Sequence, residues 1–402
     1  MTVHRDPARI RRAYYVYQAT ANAVFFQAVF FVYYGQRVGL AVPAILWLQS
    51  YFTALRALLD LPLGAVADRW SRRGCLVASN AALALGAIGL VLWPTGAMAV
   101  AAETAFALAS ALRSGADSAF LFDALAAAGA TGAYARAESR GQAVSAAASG
   151  LTAVAGSLLA AVDLRLPYVA AAAAAAVGAT VALRLGAELE PRRRADGTRT
   201  LVRDAAGYAL RTPAVRWTIA LATFAVVVSH VYFFLQQPWM ESLGVPVAAF
   251  GLVFAATKVV TALVANAAHR VDARVGRRGV GAAMTIVPAL GLGAMALAHG
   301  PFAAVLLLSR GVLDGLWQPL ANVYLNRLVE SRLRATLLSL QSLVARLALA
   351  GALAVLGAGA ARLGLATTLA MGAVGAAVLG VVLLARAPHG LPGRARVMAE
   401  GE

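Results

Sequence analysis

Arginine and aspartate recur one helical turn apart at two places where the surrounding chain is almost wholly apolar. In LRSGAD (residues 112–117) the pair is Arg113 and Asp117; in SRGVLD (309–314) it is Arg310 and Asp314. A charge at the centre of a hydrocarbon layer costs about 3 kcal/mol on insertion scales, so such groups face a partner or a wet cavity. Two chemistries suit them. One is an ion pair that neutralises itself at i,i+4; the other is a site that binds a charged solute or carries a proton. At about 100° per residue, Glu103, Ser110, Arg113, Ser114 and Asp117 share one face of residues 97–121. Arg310, Asp314, Trp317 and Tyr324 share a face of 301–324, and Gln49, Thr53, Arg56 and Asp60 a face of 44–66. Ser339, Ser342 and Arg346 align in 335–358, and Thr223, His230, Phe234 and Gln237 in 215–237. Lys258 is the only lysine.

These residues divide into two roles. Arg56, Arg113, His230, Lys258, Arg310, Trp317, Arg346, Asn22 and Gln237 are expected to line a substrate cavity. Glu103, Asp60, Asp117 and Asp314 are the carboxylates available to carry a proton. A nearby cation favours the charged form of a carboxylate, so Asp117, Asp314 and Asp60, each one turn from an arginine, are expected to stay ionised. Glu103 has no such neighbour on its helix and is the preferred carrier, with Asp60 next. Blander roles stand beside these: structural ion pairs, a hydrogen-bonded His230, and a Glu103 that ties neighbouring helices together.

The elements that position such residues must be membrane spans. The chain has 402 residues, 61% hydrophobic and 13% charged, where a soluble domain carries roughly 25% charged. Apolar runs of about 20 residues, long enough to cross a bilayer core as helices, predict twelve spans. They are 13–35, 44–66, 75–93, 97–121, 143–162, 167–186, 215–237, 247–267, 280–298, 301–324, 335–358 and 364–385. An all-α membrane protein follows, with the long connection 187–214 dividing a six-helix bundle (1–186) from a second (215–402) that ends in a short tail. Spans three, six, nine and twelve lack polar faces and suit lipid-facing positions.

The net charge of +17 does not indicate nucleic acid, because the arginines recur in every second loop. That bias places both termini and the arginine-rich loops in the cytoplasm, the positive-inside pattern of a cytoplasmic (inner) membrane protein. Trp47, Trp93 and Trp239 are then expected at the outer interface, and Trp70 and Trp217 at the inner one. The stretch after Arg5, Arg9, Arg11 and Arg12 runs to about Tyr34, too long for a signal peptide. The connection 187–214 opens with EPRRRADGTR and continues into an expected interfacial amphipathic helix with Leu201, Ala205 and Tyr208 on one face. Cys75 is the only cysteine and the five histidines are scattered, so neither a disulfide within the chain nor a metal site nor a cofactor is expected. ESR at 138–140 and 330–332, and VGLAVPA echoed by LGVPVAA, suggest two related bundles facing each other across a pathway.

The loop after the second span reads GAVADRWSRRG, with Gly64, Asp68, Arg69, Arg72 and Arg73; a decayed copy, VDARVGRRG, follows the eighth. The pattern G-x-x-x-D-R-x-G-R-R between spans two and three resembles the signature of the major facilitator superfamily, with Ser71 in place of the second glycine. Span count, central loop and doubled motif extend the resemblance over the whole chain. It implies alternating access, and a cytoplasmic latch made by Gly64, Asp68, Arg69, Arg72 and Arg73, with Asp123 as the acidic partner of the arginines. SGADSAFLFD and YLNRLVESRLRATLLSL resemble a bacterial branch of efflux proteins, whereas the fifth span carries Gly150 and Gly156 without the proline of drug antiporters. No nucleotide-binding loop and no catalytic constellation is present, so an enzyme is not expected. The expected function is proton-coupled export of a small amphipathic molecule by a monomer. Uptake or exchange of an anionic solute is the alternative, and a non-transporting sensor or scaffold the third.

Overall fold

The computed structural model describes residues 6–69, 71–184, 198–329 and 331–388, which are helical with no strand among them. The helices are α1 (Pro7–Ala21), α2 (Phe30–Gln36), α3 (Val42–Arg69), α4 (Arg72–Leu92), α5 (Gly96–Arg113), α6 (Ala116–Ala127) and α7 (Tyr134–Val162). They continue as α8 (Leu166–Arg184), α9 (Thr198–Arg211), α10 (Pro213–Ser242), α11 (Val247–Leu297), α12 (Leu308–Leu328) and α13 (Ser331–Ala385). Serine and threonine caps start two of them. Ser71 Oγ accepts from Gly74 N at 2.9 Å before α4, and Thr95 Oγ1 from Met98 N at 3.2 Å before α5, filling donors that a helix start leaves open.

Eight segments are long and apolar enough to cross a membrane. Two helices hold two passes each, because α11 reverses at Gly276 (φ 65°) and α13 at Gly364 (φ 80°), left-handed turns that a side chain disfavours. The other passes are α1 with α2, α5 with α6, and α12 with the 3-10 turn Pro301–Leu307 before it. Among the described residues this makes twelve passes in a multi-pass membrane protein.

Helices α1–α8 pack among themselves, as do α10–α13. The two bundles meet where α3 lies along α13 and α7 along α11. Many of their contacts cluster at the arginine-poor end. Trp47 Nε1 donates to the Ala354 carbonyl at 3.2 Å and Ser50 Oγ to the Ala350 carbonyl at 2.7 Å. Gln36 Nε2 reaches Glu241 Oε1 at 2.9 Å, and Phe30 stacks on Phe233 at 5.9 Å between centroids. Glycine permits this approach: a Cβ on Gly251 of α11 would lie 2.1 Å from the Ala153 carbonyl oxygen of α7.

The first pass is not the continuous span the hydropathy suggests. It breaks after Ala21, and a Cβ on Gly156 of α7 would lie 1.8 Å from the Phe25 carbonyl oxygen, so the broken backbone presses directly on α7. Freed backbone groups inside a membrane need partners. Gln237 of α10 supplies two of them, donating to the Gln27 carbonyl at 3.1 Å and accepting from Phe31 N at 2.9 Å.

Three elements expected at the interface pack against protein. Trp239 (3% exposed) and Trp217 (6%) are packed inside, because each indole N–H finds a carbonyl across the helix interface, at Met295 and Leu383. Trp47 and Trp93 are exposed, and Trp70 lies outside the described residues. Helix α9 does not turn its small apolar face to lipid: Ala205 and Ala209 are buried against Val215, Ile219, Val329, Leu333 and Leu337. Tyr208 Oη donates to the Leu328 carbonyl at 2.8 Å. The side chain of Leu201 lies outside the described residues.

Candidate functional site

The two Arg–Asp spacings fold differently. In the second bundle α12 runs through the motif, and Arg310 Nε lies 3.4 Å from Asp314 Oδ2 as an i,i+4 pair. In the first bundle the helix stops. Ser114 leaves helical geometry, Gly115 turns with φ 76°, and α6 starts at Ala116. Arg113 and Asp117 therefore do not share a helix face, as their spacing suggested, and turn to different partners. Arg113 ends α5 and its Nη1 donates to the Ala21 carbonyl at the end of α1, where a cation is favoured by the helix dipole. Asp117 sits in the first turn of α6, the favoured place for an acid, and its Oδ2 accepts from Gln18 Nε2 at 3.0 Å.

Five cations come from near the middle of the bundle: Arg56 of α3, Arg113 of α5, Lys258 of α11, Arg310 of α12 and Arg346 of α13. Arg56 is within Coulombic reach of Arg113 and Arg346, and its Nε is buried with no hydrogen-bond partner among the described residues. Arg346 forms an ion pair with Asp60 of α3, a charged bridge between the bundles. Arg310, 6% exposed, lies with its guanidinium 5.1 Å from the Phe233 ring centroid, and its Nη1 also has no partner among the described residues. Lys258 is 5.5 Å from the ring centroid of Phe254, one turn back on its own helix, and within reach of the Arg310–Asp314 pair. A partly desolvated cation–π contact of this kind stabilises by up to about 2 kcal/mol.

His230 feels Arg310, Asp314 and Arg56, which links both bundles, while its Nδ1 is engaged by the Val226 carbonyl at 2.8 Å. Its neighbours Phe233 and Phe234 complete an apolar wall beside the cations. Trp317 is half-buried and packs on the core from α12.

Two residues expected in the cavity have their amides engaged within the protein. Gln237 is fully buried and its amide is spent on the broken backbone of the first pass. Asn22 caps α1 locally, donating to the Gln18 carbonyl at 2.8 Å and to Gln18 Oε1 at 3.1 Å. Both are claimed by the helix break, which hydropathy does not reveal.

Glu103 stands apart from the cations. It is 5% exposed, and its Oε1 accepts from Tyr34 Oη and Gln49 Nε2, both at 2.7 Å, so that α2, α3 and α5 meet on one carboxylate. A second node is built on Glu138, which spacing singled out only as part of a repeat. Its carboxylate accepts from Tyr14 Oη at 2.8 Å, Ser118 Oγ at 2.8 Å and Gln142 Nε2 at 2.9 Å. Tyr14 in turn accepts from Gln18, which also holds Asp117. At the arginine-rich end Arg72 pairs with Asp123 and donates to the Ala119 carbonyl at 3.0 Å. Gly64 lies within α3 and Arg73 in the first turn of α4, half-buried; the side chains of Asp68 and Arg69 lie outside the described residues.

Residues 16–354 match the Major Facilitator Superfamily. No curated protein matches the chain. Among solved structures, the nucleoside transporter NupG superposes with a TM-score of 0.77 at 14% identity, covering 96% of this chain and 99% of that one. A POT family transporter in complex with 5-aminolevulinic acid gives 0.73 at 14% identity, with 95% and 96% covered. A bacterial homolog of the human lysosomal transporter Spinster, in an inward-facing and unoccupied conformation, gives 0.72 at 14% identity, with 96% and 97% covered. At such identities the likeness is one of fold.

Proposed function

This chain belongs to the major facilitator superfamily, and from that premise we propose that it is a proton-coupled secondary transporter of a small amphipathic anion. The charge balance of the central cluster carries this reading. Arg56, Arg113, Lys258, Arg310 and Arg346 stand against Asp60, Asp117 and Asp314, and Asp117 is held by Gln18 rather than by a cation. A unit charge about 4 Å from an opposite one gains about 4 kcal/mol at an effective dielectric near 20. Unneutralised guanidinium groups therefore favour an anion and oppose a cation by similar amounts. Phe233, Phe234 and Phe254 beside them suit an apolar portion of the solute. Nucleosides, for which one of the fold neighbours is named, are less well matched to this excess of positive charge.

Thermal shift of the purified protein with benzene-1,3-disulfonate, benzenesulfonate and tetraphenylphosphonium tests the charge preference. Stabilisation by the anions alone is expected; stabilisation by the cation alone overturns the reading. Flux in proteoliposomes, with and without a pH gradient of either sign, then reads coupling and direction, including the export implied by the branch resemblance.

The arginine bias supports a place in the cytoplasmic membrane with both termini inside. Cysteine-accessibility mapping on a Cys75→Ser background should place residues 187–214 on the cytoplasmic face, and labelling from outside would invert this topology. Glu103 reads best as a structural tie, because two donors already hold it and no cation adjoins it among the described residues. The Glu103→Gln protein should lose about 1–3 kcal/mol of stability, the cost of disturbing a buried hydrogen-bonded acceptor, yet keep gradient-driven flux. A folded Glu103→Gln protein that ignores the gradient would return the proton to Glu103.

A further inference from the structure

Asp60 is itself an anion bound in the arginine cluster. It reaches from α3 to Arg346 of α13, and its second oxygen, Oδ1, is buried with no hydrogen-bond partner among the described residues. Arg56, one turn before it, presents a buried Nε that is equally unpartnered and lies within Coulombic reach of Arg346. Asp60 thus satisfies Arg346, while Arg56, one turn back on the same helix and within reach of both Arg346 and Arg113, adds positive charge that no carboxylate answers among the described residues.

We infer that Arg346 and Arg56 form the subsite for the anionic group of the transported solute, and that Asp60 is a tethered competitor for it. This rests on the anion reading above and adds its coupling. When the solute's anionic group takes Arg346, Asp60 loses its counter-charge inside the membrane. An uncompensated buried carboxylate is costly, and it is relieved when Oδ2 takes a proton from the aqueous phase on the open side. Anion and proton then bind together. Linkage is reciprocal, so protonation of Asp60 strengthens anion binding by the same factor that the anion strengthens protonation. The sign is that of symport, in which anion and proton move together, and it is opposite to the exchange expected of an efflux antiporter. Because the Asp60–Arg346 bridge joins α3 to α13, the exchange of partners also alters a contact between the two bundles.

Apart from Arg56 and Arg346, the described charged groups facing Asp60 from the neighbouring helices are engaged elsewhere. On its own helix it has Arg56. From α5 come Arg113, bonded to Ala21, and Glu103, which is held by Tyr34 of α2 and by Gln49, eleven positions before Asp60 on α3 and roughly 16 Å away at the helical rise. The tyrosines of α2, Tyr33 and Tyr34, bond to the Leu90 carbonyl and to Glu103, and Arg72 of α4 is paired with Asp123. From α13 come Arg346, its partner, and Arg362, exposed sixteen positions further along the helix, roughly 24 Å at the helical rise; the side chains of Arg332 and Arg334 lie outside the described residues.

The test uses benzene-1,3-disulfonate, whose charge does not change with pH in the working range, and the purified full-length protein. The wild type should bind the probe at least about tenfold more tightly in acidic than in mildly alkaline buffer. It should also take up about one proton per probe bound, read by pH electrode in weakly buffered solution. Asp60→Asn should bind tightly at both pH values without proton uptake, and Arg346→Gln should lose binding and uptake together. Probe binding by the wild type without pH dependence or proton uptake overturns the competitor role and leaves the anion reading standing. Absence of binding at either pH overturns the anion reading itself. If Asp60→Asn does not fold, proton uptake by the wild type still decides.

Discussion

Arg310→Met should lower the stability of the purified protein by about 3 kcal/mol or more and abolish flux. Arg310 is buried, its Nε faces Asp314, and its guanidinium lies over Phe233. Removing it leaves Asp314, only 14% exposed in its side chain, as a carboxylate without its cation. Breaking one side of a buried ion pair is far more damaging than removing both charges. The double variant Arg310→Met, Asp314→Asn should therefore recover most of the lost stability while flux stays absent, because the cation that meets the solute is still missing. Thermal unfolding and proteoliposome flux on the same preparations check both halves. Wild-type flux in the double variant would make the pair no more than a structural bridge.

Gly251→Val should cut transport by about 10- to 100-fold without unfolding either bundle. A Cβ at Gly251 would sit 2.1 Å from the Ala153 carbonyl oxygen and 2.6 Å from Ser157 Oγ. Both belong to the opposite bundle, so the clash appears only when the arginine-poor end is closed. Overpacking of this kind costs about 1–3 kcal/mol, a factor of roughly 5 to 150 in a two-state population. The variant should accumulate with that end open, seen as a longer spin-label distance between positions 36 and 241. Gly251→Ala should show the same sign at smaller size. An unchanged distance with normal flux would mean that α7 and α11 do not separate during transport.

Much of this molecule is legible in its amino-acid order. Hydropathy alone locates twelve passes and the arginine-rich loops between them, because entry into a membrane depends on each segment's own transfer free energy. The Arg310–Asp314 contact is legible for a related reason: an unbroken helix brings i and i+4 together whatever surrounds it.

The matching spacing at Arg113 and Asp117 shows where that logic stops. A basic residue before a glycine and an acid just after it are the marks of one helix ending and another beginning, and LRSGAD carries all three. Yet SRGVLD also has a glycine beside its arginine and does not break. Gly311 instead lets α12 close on α11, where a Cβ would lie 2.7 Å from the Thr257 carbonyl. Which use a glycine serves is decided by the helix packed against it.

The same holds for Gln237, spent on the backbone of another bundle's broken helix, for Trp239 and Trp217 drawn inward by distant carbonyls, and for α9 laid on protein rather than lipid. It holds most of all for Asp60 and Arg346, which lie in different bundles and meet only in the folded chain. The order of residues determined by itself that the chain crosses a membrane as helices, where the crossings lie and which charges enter the apolar layer, since these follow from local transfer energies and helical periodicity. Only the tertiary structure decided which charge answers which. A hydrogen bond or ion pair depends on two atoms arriving within about 3 Å, and nothing local to either residue specifies the other.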